Sequence, residues 1–260
     1  MQAWGLTDPG CVRVQNQDAF QIRPFGEDSV LCAVCDGMGG AKSGNVASSL
    51  ALDVFIQEVD RLRKPGMTQE QAGQMFRDAV GLANATVYDQ SRQFEEFEGM
   101  GTTLVAAYVE QQMAVIANVG DSRCYFLNRE GVRCLTTDHS LVQLMVQRGE
   151  LSREQAKNYP GKNLITRAIG TESGVECDLF YQPVQKGDCL LLCSDGLSNL
   201  LDDQEMDGNA RILYQKMKEN VRGGQVQIQQ IYKYLPQTIT SRHLQEEQAR
   251  MDSIYQVIQN

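Results

Sequence analysis

The 260-residue chain holds two histidines, one tryptophan and six prolines, and it has no long apolar run. Each scarcity closes off some chemistry. His139 and His243 are too few for a histidine-rich binuclear phosphoesterase centre. There is no GxSxG, so a serine nucleophile on a strand-to-helix elbow is not supported. Neither GxxxxGK[ST] nor GxGxxG occurs, which removes the usual nucleotide loops. No cysteine is followed six positions later by arginine, and no Asp-x-Asp pair exists. The cysteine-phosphatase loop and the aspartyl-phosphate start are therefore absent. No stretch approaches the ~20 apolar residues needed to cross a bilayer. The opening MQAWGLTDPG has neither the basic nor the apolar region of a signal peptide. A soluble, cytoplasmic protein is expected, with no membrane partner.

Positive charge is also in deficit. Against 33 acidic residues stand 24 basic ones, a net charge of −9, and no basic stripe is present. That excludes a nucleic-acid binder working through phosphate contacts. The eight cysteines do not make a disulfide framework. Cys32, Cys35, Cys189 and Cys193 lie inside apolar runs, where a free thiol acts as a small hydrophobe. Cys32 and Cys35 form a CxxC, but three residues apart on a strand they face opposite sides. Reduced intracellular thiols are the reading this supports.

What the chain does have is three aspartates that each close an apolar run beside a glycine. Asp36 ends VLCAVCDGMGG, Asp121 ends MAVIANVGDSR and Asp195 ends CLLLCSDG. The runs read as buried strands. A carboxylate at the tip of a buried strand is costly unless something binds it, and glycine lets the chain turn sharply there. Three such tips suggest a shared cluster of hard oxygen ligands, which suits Mg²⁺ or Mn²⁺ better than zinc or an iron–sulfur centre.

The pattern predicts an α+β chain. Residues 1–35 look like two strands joined by a turn around Phe25–Ser29. Helical spacing follows over 42–62, through Ala47, Leu50, Ala51, Val54, Val59 and Leu62. Thr68 and Gln71 form a capping box that opens a second helix. TTLVAAYV, MAVIANV and RCYFLN predict an antiparallel meander over 101–136. Short helices are expected at 140–149 and after Ser152. CDLFYQPV and DCLLLCSD read as a last strand pair. After Met206 the composition turns glutamine-rich. Leu244, Met251, Ile254, Tyr255 and Ile258 share a helical face, which predicts a helical tail over 207–260.

The segment TDPGCVRVQNQD places Arg13 five residues before Asp18. Arginine grips phosphate through two parallel hydrogen bonds. With it, a set of motifs appears in order: CDGMGG, MGTT at Met100–Thr103, NVGDSR at Asn118–Arg123, TDHS at Thr137–Ser140, LITRAIG at Leu164–Gly170 and CSDGL at Cys193–Leu197. On these motifs residues 3–206 resemble the bacterial branch of the metal-dependent protein phosphatases, the type 2C serine/threonine family.

The resemblance implies a four-layer α-β-β-α sandwich of two antiparallel sheets, with two or three Mn²⁺ or Mg²⁺ ions at one end. It implies that Asp36 bridges two ions and that the Gly37 carbonyl and Asp18, through water, complete one of them. Asp195 would hold the other, and Asp121 with Asp195 a third, weaker one. Arg13 would hold the substrate phosphate, and residues 143–170 would be a flap beside the site. The implied reaction is hydrolysis of phosphoserine and phosphothreonine proteins, substrates of a bacterial kinase, by a metal-bridging hydroxide in a single in-line displacement. A monomer is expected.

Three positions depart from the family pattern. Where relatives carry histidine after the Asp-Gly, this chain has Met38, which cannot transfer a proton. Gln17 stands where many members have glutamate. The Asp-Asn pair on the family's closing strand is absent, and Asp252-Ser253 is its nearest echo. The last departure defines the alternative: a catalytically impaired binding or regulatory module on the same scaffold.

Overall fold

The computed structural model describes residues 1–8, 15–39, 43–199 and 253–259. The apolar runs become two antiparallel sheets. The first contains β1 (Gln2–Asp8), β11 (Ser253–Gln259), β10 (Cys189–Cys193), β7 (Arg123–Leu127) and β8 (Val132–Cys134), in that spatial order. The second runs β2 (Asp18–Pro24), β3 (Ser29–Met38), β5 (Leu104–Glu110), β6 (Met113–Val119) and β9 (Asp178–Pro183), with β4 (Gly101–Thr102) also paired to β3.

Strand residues alternate between two cores, as a period of two requires. Val30, Cys32 and Val34 of β3 pack with Cys124, Phe126, Leu190 and Leu192 between the sheets. Leu31, Ala33 and Cys35 face the other way, against α1 (Gly44–Leu62) and α2 (Gln69–Gln93). Cys32 and Cys35 thus sit in different cores, and burial alone pushes the Cys32 thiol far up. Phe55 of α1 and Phe76 of α2 meet with ring centroids 5.5 Å apart. Emptying such a position to alanine costs about 3–5 kcal/mol. The predicted capping box opens α2: the Thr68 N–H donates to Gln71 Oε1 at 2.9 Å and the Gln71 N–H to Thr68 Oγ1 at 3.3 Å. Two short helices follow β8, α3 (Leu141–Gln147) and α4 (Arg153–Lys157), and α5 (Asp195–Ser198) follows β10. Among the described residues no helix is long and apolar enough to cross a membrane.

Four expectations need correction. The first 35 residues hold two complete strands and the start of β3, because Gln2–Asp8 forms its own strand in the other sheet. The meander is broken: β5 pairs β6, but β7 pairs β8 and β10 across the sandwich. Gly120, with φ +103°, supplies the turn that carries the chain between sheets. CDLFYQPV and DCLLLCSD likewise join different sheets, β9 on β6 and β10 on β7. Finally, Ser253–Gln259 is a strand between β1 and β10, not part of a helical tail. Its β-branched and aromatic residues suit a pleated surface, and the edges of β1 and β10 supply the ladder. The domain boundary expected at 206 and the rest of the tail lie outside the described residues.

Candidate metal centre

The predicted carboxylates meet at one end of the sandwich. Asp18 opens β2 and Asp36 is its direct partner across the β2–β3 ladder. Such partners have Cβ atoms about 5 Å apart, and like charges there repel. Asp121 follows β6 and the Gly120 turn. Asp195 follows β10 as the first residue of α5. All four are half-buried, within reach of solvent. Asp36 faces the Asp195 carboxyl and also feels Asp18 and Asp121. Burial first, then these like charges, push its carboxyl well above the usual range. Burial, then Asp195 and Asp138, push Asp121 up to about 7.

Carboxylates gathered this closely must be protonated or neutralised by a cation. A set of oxygen donors fits Mg²⁺ or Mn²⁺. Among the described residues no group of three or more His, Cys, Asp or Glu is already closed around one point. Mg²⁺ keeps several waters, so a loose set of one or two direct carboxylates per ion is compatible with it.

The motifs without an assigned role in the sequence prove to be the frame of the cluster. Thr103 of MGTT holds Asp36 at both ends: its Oγ1 accepts from the Asp36 N–H at 2.9 Å, and its own N–H donates to the Asp36 carbonyl at 2.9 Å. Thr102 Oγ1 donates to that same carbonyl at 2.9 Å. Thr103 Oγ1 also meets Ser122 Oγ at 2.7 Å, which ties in the residue after Asp121. Ser194 Oγ donates to Asp18 Oδ2 at 2.9 Å. Arg123 grips Asp138 with two bonds, Nε to Oδ1 at 2.8 Å and Nη2 to Oδ2 at 2.6 Å.

Gly37 has no room for a side chain. A Cβ there would stand 1.9 Å from the Gly44 carbonyl oxygen at the start of α1. The Gly37 N–H donates to the Gln17 carbonyl at 3.0 Å, which Ser48 of α1 also reaches at 2.6 Å. The Gln17 side chain lies against Gly44, 2.7 Å from where its Cβ would be. These contacts seat the first turn of α1 beside the Asp36–Gly37 backbone.

His139 is 8% exposed and lies behind the cluster. Its Nδ1 accepts from the Gly120 N–H at 3.0 Å, and its Nε2 is 3.1 Å from Asp178 Oδ2. Arg167 Nη1 donates to Asp178 Oδ1 at 2.7 Å. Burial works against the Asp178 carboxylate, yet the hydrogen bonds from His139 and Arg167 hold it below its usual range. The segment 143–170, expected as a flap, is anchored here by backbone contacts: Ser140 bridges Ile165, and Thr102 exchanges both backbone bonds with Ile169. Arg13 and Asp252 lie outside the described residues.

Comparison with known proteins gives the chain's family. Residues 13–235 match the family described as Protein phosphatase 2C. A serine/threonine phosphatase, stp, of Listeria monocytogenes is 40% identical over 207 residues, covering 80% of this chain and 82% of its own. The crystal structure of the serine/threonine phosphatase Stp1 from Staphylococcus aureus superposes with a TM-score of 0.81 at 32% identity, covering 98% of this chain and 93% of its own. The catalytic domain of the phosphatase PstP in complex with two manganese ions superposes with a TM-score of 0.74 at 26% identity, over 98% of this chain and 96% of that one. With Asp18, Asp36, Asp121 and Asp195 gathered at one end of the sandwich and the match spanning most of its length, the chain belongs to the protein phosphatase 2C family, the metal-dependent serine/threonine phosphatases.

Proposed function

We propose that this chain hydrolyses phosphoserine and phosphothreonine on proteins, and that Mn²⁺ or Mg²⁺ occupies the carboxylate cluster. The observation that carries this reading is the meeting of Asp18, Asp36, Asp121 and Asp195 at one solvent-reachable end of the sandwich. Asp36, with the Gly37 carbonyl and Asp18, would hold one ion, and Asp36 with Asp195 a second. Asp121 with Asp195 would hold a third, more weakly. Divalent cations, when bound, supply an acidified water for in-line attack on phosphorus and positive charge for the phosphoryl oxygens.

The chain's own residues do the rest. Arg13 grips two phosphate oxygens and orients the phosphoryl group. Thr102 and Thr103 hold the Asp36 backbone so that its carboxylate needs no reorganisation. Met38 cannot protonate the departing serine or threonine oxygen. The His139 ring is engaged at Nδ1 by Gly120 and at Nε2 by Asp178, so it cannot serve either. Solvent water or another group supplies that proton. No covalent enzyme intermediate is formed.

The phosphoprotein substrates in this reading are products of a bacterial serine/threonine kinase, met in the cytoplasm by a monomeric enzyme. The test is direct. Purified chain with millimolar Mn²⁺ should release phosphate from a phosphothreonine peptide and hydrolyse para-nitrophenyl phosphate. Failure on both substrates, together with no tight Mn²⁺ binding by calorimetry, would replace the enzyme with the impaired binding module.

A further inference from the structure

Asp121 is the one cluster carboxylate that follows a glycine turn outside any strand or helix. Gly120 has φ +103°, and a Cβ there would stand 2.6 Å from Thr103 Cγ2. Both facts require glycine. A glycine has no side chain to limit its torsions, so the direction in which Asp121 leaves the turn must be fixed from outside. Ser122 fixes the far side through its 2.7 Å contact with Thr103 Oγ1.

The near side is fixed by one residue. The His139 N–H donates to the Gly120 carbonyl at 2.9 Å, and the Gly120 N–H donates to His139 Nδ1 at 3.0 Å. Both polar groups of the turn glycine are therefore bound to one histidine, by its backbone and by its ring. Asn118 Nδ2 adds a longer bond to the same carbonyl at 3.3 Å.

The ring's proton follows from these partners. Nδ1 accepts, so it carries no hydrogen, and the neutral ring must carry it on Nε2. Nε2 then donates to Asp178 Oδ2 at 3.1 Å. Arg167 Nη1 lies 3.0 Å from Nε2 but, donor facing donor, bonds Asp178 Oδ1 instead. Asp178 is itself in register with Asn118 on the β6–β9 ladder. The result is a braced line from Asp178 through the imidazole to Gly120.

We infer that His139 is a positioning residue that, as the Nε2–H tautomer, holds Asp121 in place for the weaker, accessory cation by clamping Gly120. The inference rests on the proposed role of Asp121, and it gives the histidine of TDHS a task distinct from acid–base chemistry. What matters is an acceptor at the Nδ1 position. Asparagine can present Oδ1 there, whereas glutamine places its amide at the Nε2 position.

The experiment has one readout without metal and one with it. In metal-free protein, nitrogen-15 spectra of the imidazole should show the Nε2–H tautomer, and the Gly120 amide should exchange slowly. An Nδ1–H ring would overturn the inference. Manganese titration calorimetry then compares the wild type with His139→Gln, His139→Asn and Asp121→Asn. The expected result is a weakest binding event lowered at least about tenfold in His139→Gln, kept in His139→Asn and lost in Asp121→Asn, with the tighter events unchanged. If His139→Gln binds like wild type while Asp121→Asn loses the event, the clamp is wrong but the role of Asp121 stands. If Asp121→Asn also binds like wild type, the accessory role of Asp121 falls and the inference with it. Equal losses in the glutamine and asparagine variants also overturn it, because ring packing and not the acceptor would then be responsible.

Discussion

Ser194 Oγ donates to Asp18 Oδ2 at 2.9 Å, joining residues 176 apart in the chain. Asp18 opens β2 in one sheet, and Ser194 follows β10 in the other. The orientation of a cluster carboxylate thus depends on how the two sheets dock. Ser194→Ala should weaken Mn²⁺ binding by about ten- to a hundredfold, the usual effect of losing a partner behind a ligand. The loss of fold stability should be smaller, about 1 kcal/mol. Calorimetry and denaturant unfolding measure the two separately. Unchanged metal affinity would mean that Asp18 is oriented without the serine.

Asp36→Asn should separate function from stability more sharply. The side chain sits against three other carboxylates, and burial and repulsion both oppose its charge. Removing that charge relieves the metal-free fold while depriving bound cations of their central ligand. Turnover should fall at least about a hundredfold, the scale on which loss of one charge-stabilising group acts. The melting temperature in chelator should hold or rise. A fully active variant would rule out the bridging role, and an unfolded one would rule out the relief.

The same electrostatics set a pH dependence. The Asp121 carboxyl is raised from 3.8 to about 7 in the fold, and Asp36 is raised in the same direction. Between those limits the folded state binds more protons than the unfolded chain. The Asp121 contribution to metal-free stability is therefore fully present at low pH and is lost as pH rises toward 7, and that of Asp36 changes in the same sense. Cations need the deprotonated carboxylates, so apparent Mn²⁺ affinity should climb with pH, most steeply for the ion held by Asp121 as pH approaches about 7. Binding near pH 6 should release protons, seen as a heat that depends on the buffer, and release should fade near pH 8. A flat affinity across that range would mean that the carboxylates are already ionised without metal.

Local signals carried well from sequence to structure, and long-range ones did not. The Thr68–Gln71 capping box was legible because both partners lie within one turn. The strand-tip aspartates were legible because a charge closing an apolar run stands out. Nothing local says that β6 and β7 part into different sheets, since both are apolar and the separation is decided by distant partners. SIYQVIQ fits either period, and only the ladders offered by β1 and β10 select the strand. The hydroxyls of Thr102, Thr103, Ser122 and Ser194 were hidden for the same reason. Their value lies in partners 19 to 176 residues away.

The end of the chain supplies the remaining test. Ser253 begins β11 as the partner of Asp8, and β11 lies beside β10, which leads into Ser194 and Asp195. Asp252 itself lies outside the described residues, but in sequence it immediately precedes Ser253. If it stands in for the aspartate of the family's Asp-Asn pair, Asp252→Asn should lower the affinity of one of the two tight Mn²⁺ ions at least about tenfold and reduce turnover in parallel. Asp202→Asn and Asp203→Asn, taken from the segment just after α5, should do neither. Should all three variants bind and turn over like wild type, the chain works with one carboxylate fewer than its relatives. The ion beside Asp195 would then be the weaker one, detectable as a higher Mn²⁺ requirement for half-maximal activity than an Asp-Asn relative shows under the same conditions.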